Sequence, residues 1–240
     1  MKPASSRSVI PAQAGIQRTA SRATFVVVLA LALAACGNAP RTPDWVVSAD
    51  GAQERYMRAH LSGQARVAQS EFTRLRADVS STADPLPVAR AELTRCAMQV
   101  ATLDFQSCNG FDALRADVPL AERAYADFLA GARLDAAAAA LLPVAYRPLA
   151  ALAPGAPVGP IVQAIADPMS RLIAAGAMLR AGRADPATLQ VAADTASAQG
   201  WRRAVLAWLG AQAQRAEQAG ATEEALRLRR RMNLATGAPG

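Results

Sequence analysis

The chain reads as an all-α protein built of antiparallel helical hairpins packed as a bundle or in a row, and three observations predict the helical class. A quarter of the 240 residues are alanine, the strongest intrinsic helix former. Asp-Pro pairs at 84–85, 167–168 and 185–186 have the chemistry of a helix cap followed by a first helical residue, and Gly63, Gly131, Gly182, Gly200 and Gly220 fall where helices should stop. Outside the N-terminal apolar run, no alternating Val, Ile or Thr stretch reaches strand length.

The first element is not part of that body. Twelve uncharged, mostly apolar residues precede Cys36, and Lys2, Arg7, Arg18 and Arg22 precede them without any acidic residue. A spanning helix needs about 20 apolar residues, so the run fits a cleaved export signal over 1–35 rather than a permanent membrane span. Residues 8–17 (SVIPAQAGIQ) resemble a translated bacterial intergenic repeat, which implies a translation start downstream of Met1.

Leu33-Ala34-Ala35-Cys36 resembles the lipobox of bacterial lipoproteins. That resemblance implies diacylglycerol on the Cys36 thiol, palmitate among three acyl chains on the mature N-terminus, and stable anchoring in the lipid bilayer, since two or more chains suffice. Gly37 follows where inner-membrane lipoproteins of enteric bacteria often carry Asp, which implies the outer membrane, with the body facing the periplasm.

Residues 36–47 are polar and Pro-bearing and read as a tether. A helix is expected over 52–62, stopped at Gly63, and a second over 65–80 with Ala68, Phe72, Leu75 and Val79 on one apolar face. The third, capped by Asp84 and opened by Pro85, carries Ala89, Leu93, Cys96, Val100 and Leu103 as one stripe. Pro119 opens a helix with Leu120, Ala124, Phe128 and Leu129 inside, and an Ala-rich helix follows until a break over 143–148. The Pro- and Gly-rich segment 153–160 is expected to join an N-terminal helical region (48–152) to a C-terminal one (161–236). There, helices over 201–219 and 222–235 form a last hairpin, with Ala221, Ala225, Leu228 and Met232 inward.

WLGAQAQRAEQAGATEEALRLRRR (208–231) resembles the tetratricopeptide hairpin pattern of Leu-Gly on a first helix and Ala on the second, although the first helix runs about three residues longer than the 34-residue period allows. ARAELTRCAMQVA (89–101) and RAYADFLAG (123–131) resemble stretches of a group of proteobacterial lipoproteins without an assigned activity.

The formal charge of +7 sits largely in the signal: without its four basic residues, 22 basic side chains face 19 acidic ones. Nucleic acid is therefore not an expected partner. After acylation of Cys36 two cysteines remain, Cys96 and Cys108, an even pair in an oxidising compartment and expected to form a structural disulfide.

Beyond residue 35 there is no lysine and one histidine, His60, so Schiff-base, Ser-Lys and P-loop chemistry and multi-His metal sites are excluded. His60 is expected as a charge near a helix C-terminus or a surface side chain. No cofactor motif occurs. Carboxylate catalysis survives, yet Glu71, Glu92, Glu122, Glu223 and Glu224 are expected on exposed helix faces or as first-turn acids. Arg227, Arg229, Arg230 and Arg231 form the sharpest charge feature, read as a solvated face or as a contact with anionic headgroups or an acidic partner. Trp201 and Trp208 are expected in the core. These features together suggest a non-enzymatic, membrane-anchored helical scaffold or docking module for envelope proteins. Two other classes stay open: a peptidoglycan enzyme or accessory using a carboxylate in an interhelical cleft, and a periplasmic small-ligand carrier.

Overall fold

Pro43 fixes the first turn of the first helix: its φ is −57° and its carbonyl accepts the Val46 N–H at 3.0 Å. The computed structural model describes residues 42–237, so Cys36, the export signal and residues 36–41 of the tether lie outside the described residues. Helix α1 (Asp44–Ser62) starts inside the stretch expected as tether, eight residues before the expected position, and ends at Gly63 in the left-handed region. Helix α2 (Ala65–Ser80) packs along α1 through Ala68, Phe72, Leu75 and Val79, all buried as their spacing predicts.

Helix α3 (Pro85–Ala101) is the central element. Asp84 caps it by accepting the Leu86 N–H at 2.9 Å. Its expected stripe holds for Ala89, Leu93, Cys96 and Val100; Leu103 lies past the helix end, half-buried, with a positive φ. Ala91, Ala97, Met98 and Ala101 are buried too, so α3 is covered on nearly every side.

Short helices α4 (Asn109–Asp112), α5 (Leu120–Leu129), α6 (Ala136–Leu141), α7 (Arg147–Ala150) and α8 (Gly159–Ala164) follow, with 3₁₀ turns at Arg115–Asp117 and Val144–Tyr146. Leu120, expected inside α5, is 66% exposed: it is the first residue of the helix, one turn ahead of buried Ala124.

Helices α9 (Pro168–Arg180), α10 (Pro186–Ala198), α11 (Arg202–Gln218) and α12 (Thr222–Thr236) complete the chain, with α9 and α10 started by Asp167 and Asp185 as expected. On the last hairpin Ala225 and Leu228 are buried and Met232 half-buried, whereas Ala221, ahead of the first turn, is exposed. Among the described residues there are twelve α-helices and no strand, and none of the helices is long and apolar enough to cross a membrane.

One hydrophobic core runs from Ala49 to Leu228 and includes Val158 and Val162. The expected joint over 153–160 therefore separates no second core. Helices α3 and α9 cross where Gly176 meets Val100, flanked by fully buried Ala174, Ala175 and Ala177. Trp208, completely buried as expected for a core Trp, donates its indole N–H to the Ala101 carbonyl at 3.0 Å and so satisfies the end of α3 from α11. Trp201 is half-buried at the α11 N-terminus.

Candidate functional site

Loop carbonyls left without helical partners explain much of the arginine excess. Arg123 donates to the carbonyls of Ala116 and Val118, Arg171 to Ile165, and Arg183 to Leu149 and Leu152. These arginines hold the irregular middle of the chain against the helices, where two depressions lie. The larger, about 1000 Å³, lies among 131–134, 150–157 and 181–185. Its polar groups serve the fold: Arg183 binds the carbonyls above, and Asp185 accepts N–H groups from Val158, Gly159 and Thr188.

The other is an open cleft of about 690 Å³ between α1, α3, α5, the 141–147 segment and the first turns of α9. Its walls are largely apolar. Leu93, Ala97 and Met98 come from α3, Met57 from α1, and Met169 and Ile173 from α9. At one side Arg90 is paired with Glu122, 2.8 Å apart. The rings of Tyr125 and Tyr146, which also line it, stack 5.9 Å apart with 10° between their planes. Burial pushes both phenols above their usual range, so they stay neutral hydroxyls. Arg147 stands beside them, its Nε donating to the Leu142 carbonyl at 2.8 Å. The outer lip is apolar and wet: Leu141 is 42% and Val144 73% exposed.

Comparison with protein-family models, curated proteins and solved structures returned no match.

Glu122 stands in the first turn of α5, as Glu223 and Glu224 do in α12, whereas Glu92 is not on the exposed face expected of it. Glu92 and Glu122 are buried, because α3 and α5 carry them on faces that other elements cover. Each is compensated: Glu92 lies 3.1 Å from Arg76 and 2.7 Å from Arg95, and Glu122 binds Arg90. Glu71 is half-buried and paired with Arg55, whose guanidinium holds its carboxyl below the usual range despite desolvation. Glu223 is exposed and Glu224 half-buried in a pair with Arg227.

His60 is also corrected. It is buried rather than at the surface, with Nε2 3.1 Å from the Thr102 hydroxyl, which itself donates to the Met98 carbonyl at 3.0 Å. Desolvation, with help from the nearby Arg203 charge, lowers its pKa to about 4, so it is neutral at pH 7 and not a helix-end charge. Neither His60 nor Thr102 lines the cleft.

Cys96 on α3 and Cys108 just before α4 stand at disulfide-bonding distance, Cα atoms 5.8 Å apart. The four arginines of α12 differ in their partners. Arg227 binds Glu224 and Arg229 binds Glu217, leaving Arg230 and Arg231 without an ion pair among the described residues. Sequence reasoning missed the cleft residues Arg147, Tyr125 and Tyr146 altogether.

Proposed function

We propose that the chain is a lipid-anchored, periplasm-facing lipoprotein of the outer membrane, acting as a non-enzymatic helical docking module for cell-envelope proteins. The lipobox at Cys36 supplies the anchor. The observation that carries the docking reading is the open, apolar cleft with Leu141 and Val144 exposed on its lip and Leu120 exposed on the helix that forms its wall. Interfaces draw on such contiguous apolar surface, whereas a hydrolase needs a carboxylate poised for proton transfer.

The alternative is a peptidoglycan enzyme or accessory, favoured by Glu122 and Asp167 lining the same cleft. Both acids are already engaged, Glu122 by Arg90 and Asp167 by the Ser170 N–H at 2.7 Å. This weighs against the enzymatic reading.

A photo-crosslinking amino acid placed at Val144 in cells tests the docking reading, with Val67 on α2, 45% exposed and away from the cleft, as control. A discrete crosslinked envelope protein at 144 and not at 67 is expected. Equal background at both positions, together with peptidoglycan cleavage by the purified protein, overturns it. Radioactive palmitate incorporation lost in Cys36→Ser tests the anchor.

A further inference from the structure

We propose that the floor of the cleft is a binding site for an aliphatic chain that ends in an anion. This rests on reading the cleft as a binding surface, but the occupant is a small amphiphile below the lip, not the protein that docks on it. Three observations converge. The floor is aliphatic, and Met57, Met98 and Met169 supply half of the six methionines of the chain to it. Methionine is flexible and polarizable, so it moulds to an apolar guest without a fixed shape. The volume, about 690 Å³, lies in the range of small-molecule sites, roughly 300–1,000 Å³.

The second observation fixes the charge. Arg147 is held through Nε by the Leu142 carbonyl, and among the described residues no carboxylate lies within ion-pair distance of it. A guanidinium pinned by one nitrogen presents its two terminal nitrogens as a ready fork for a carboxylate or phosphate. Arg90, the other cation of the cleft, is neutralised by Glu122, which leaves Arg147 as the lining cation without an ion pair among the described residues. The third observation is that Tyr125, Tyr146 and Ser170 line the same cleft as neutral hydroxyls, while the carboxylate near Tyr146, that of Asp167, is held by the Ser170 N–H at 2.7 Å.

The shared chemistry, one aliphatic chain with one anionic end, is met by a free fatty acid and by a single-chain phospholipid. The test uses the full chain in phosphatidylcholine nanodiscs, with uptake by empty discs subtracted. The radiolabelled probes are laurate, lysophosphatidylglycerol and dodecyltrimethylammonium. Saturable binding of laurate, of lysophosphatidylglycerol or of both is expected, the pattern naming the source, with dodecyltrimethylammonium excluded. Arg147→Gln should weaken it about tenfold, the usual size of one charged hydrogen bond. Met169→Trp should block the floor, and thermal unfolding of each variant checks that it folds. No saturable binding, equal binding of the cationic amphiphile, or unchanged affinity in a folded Arg147→Gln protein overturns the proposal. Crosslinking at position 144 is read separately, so loss of one result with retention of the other shows which of the two readings has failed.

Discussion

The carboxylate of Asp185 accepts the Gly159 N–H at 3.1 Å from 26 residues away, and through the same oxygen the Val158 N–H at 2.9 Å. Its other oxygen accepts the Thr188 N–H and hydroxyl, each at 2.7 Å. One side chain thus caps both α10, which it starts, and α8. The arrangement also pins the 153–160 segment onto the core, and so shapes the larger of the two depressions.

Asp185→Asn should therefore cost more than an ordinary cap, because an amide offers one oxygen where the carboxylate offers two. A loss of about 1–2 kcal/mol is expected at pH 7. Burial opposes ionisation of Asp185, but the hydrogen bonds from Thr188, Gly159 and Val158 outweigh it and place its pKa below the ordinary 3.8. A depressed carboxyl contributes stability above 3.8 that is lost as pH falls through the folded value. Urea unfolding at pH 7 and near pH 3 should show the gap between wild type and variant narrowing with acid; a gap independent of pH contradicts the double cap.

Gly176 yields a prediction of opposite sign to helix propensity. A Cβ there would stand 2.2 Å from the Val100 carbonyl oxygen, a backbone atom that cannot rotate away. On an open helix Gly→Ala stabilises by roughly 0.5–1 kcal/mol. Gly176→Ala should instead destabilise by about 1–3 kcal/mol, since α3 and α9 must part at their crossing. Gly210, whose added Cβ would meet only the Met232 side-chain end at 3.7 Å, is the control, and Gly210→Ala should be neutral or stabilising. Thermal melts of the two variants decide the matter.

These residues also show what the sequence makes legible. Asp84, Asp167 and Asp185 announce their helices because capping is local chemistry, and the 3-and-4 spacing of Ala68, Phe72, Leu75 and Val79 names a buried face without reference to any partner. Gly176 carries no such mark: its reason is a carbonyl 76 residues away. Glu92 and Glu122 look exposed in sequence because their burial depends on what covers α3 and α5. A signal for Glu92 does exist, since Ala91 and Leu93 on both sides are apolar and an all-round apolar helix leaves a charge nowhere to go but inward. The cleft gathers Met57, Arg90, Tyr125, Arg147 and Ile173 from five separate stretches, and no spacing rule joins them. The arginine–carbonyl bonds of Arg123, Arg147 and Arg183 escape for the same reason.

His60, the one histidine of the chain, makes its titration directly readable. With a folded pKa of about 4 against an ordinary 6.5, the unfolded chain binds the proton more readily. Its contribution to stability is full above 6.5 and is lost as pH falls from 6.5 towards 4, amounting to about 2 kcal/mol at pH 5. Carboxylates titrate mainly lower, so the slope of unfolding free energy between pH 7 and 5 should flatten in His60→Gln. An NMR titration of the ring with a midpoint near 6.5 in the folded protein contradicts the buried, neutral assignment.

The pairing of Cys96 with Cys108 sets up the last test, because the loop it closes also seals a buried charge. Gly110 lies two residues beyond Cys108, and a Cβ on it would fall 2.2 Å from the Glu92 carboxylate, one helical turn before Cys96. Closing α4 over α3 thus covers Glu92 between Arg76, Arg95 and the Gly110 backbone. Cross-linking residues 12 apart stabilises by about 3 kcal/mol on the chain-entropy model. Reduction of the protein should lower its unfolding midpoint accordingly and speed amide exchange across 103–112, while α2 and α10 keep their protection. Gly110→Ala should give the same local loosening with the disulfide intact, since the added methyl group holds the loop off the carboxylate. Two freely alkylated thiols at positions 96 and 108 of the native protein, or exchange in 103–112 indifferent to reductant, would show that this loop is held down by packing alone.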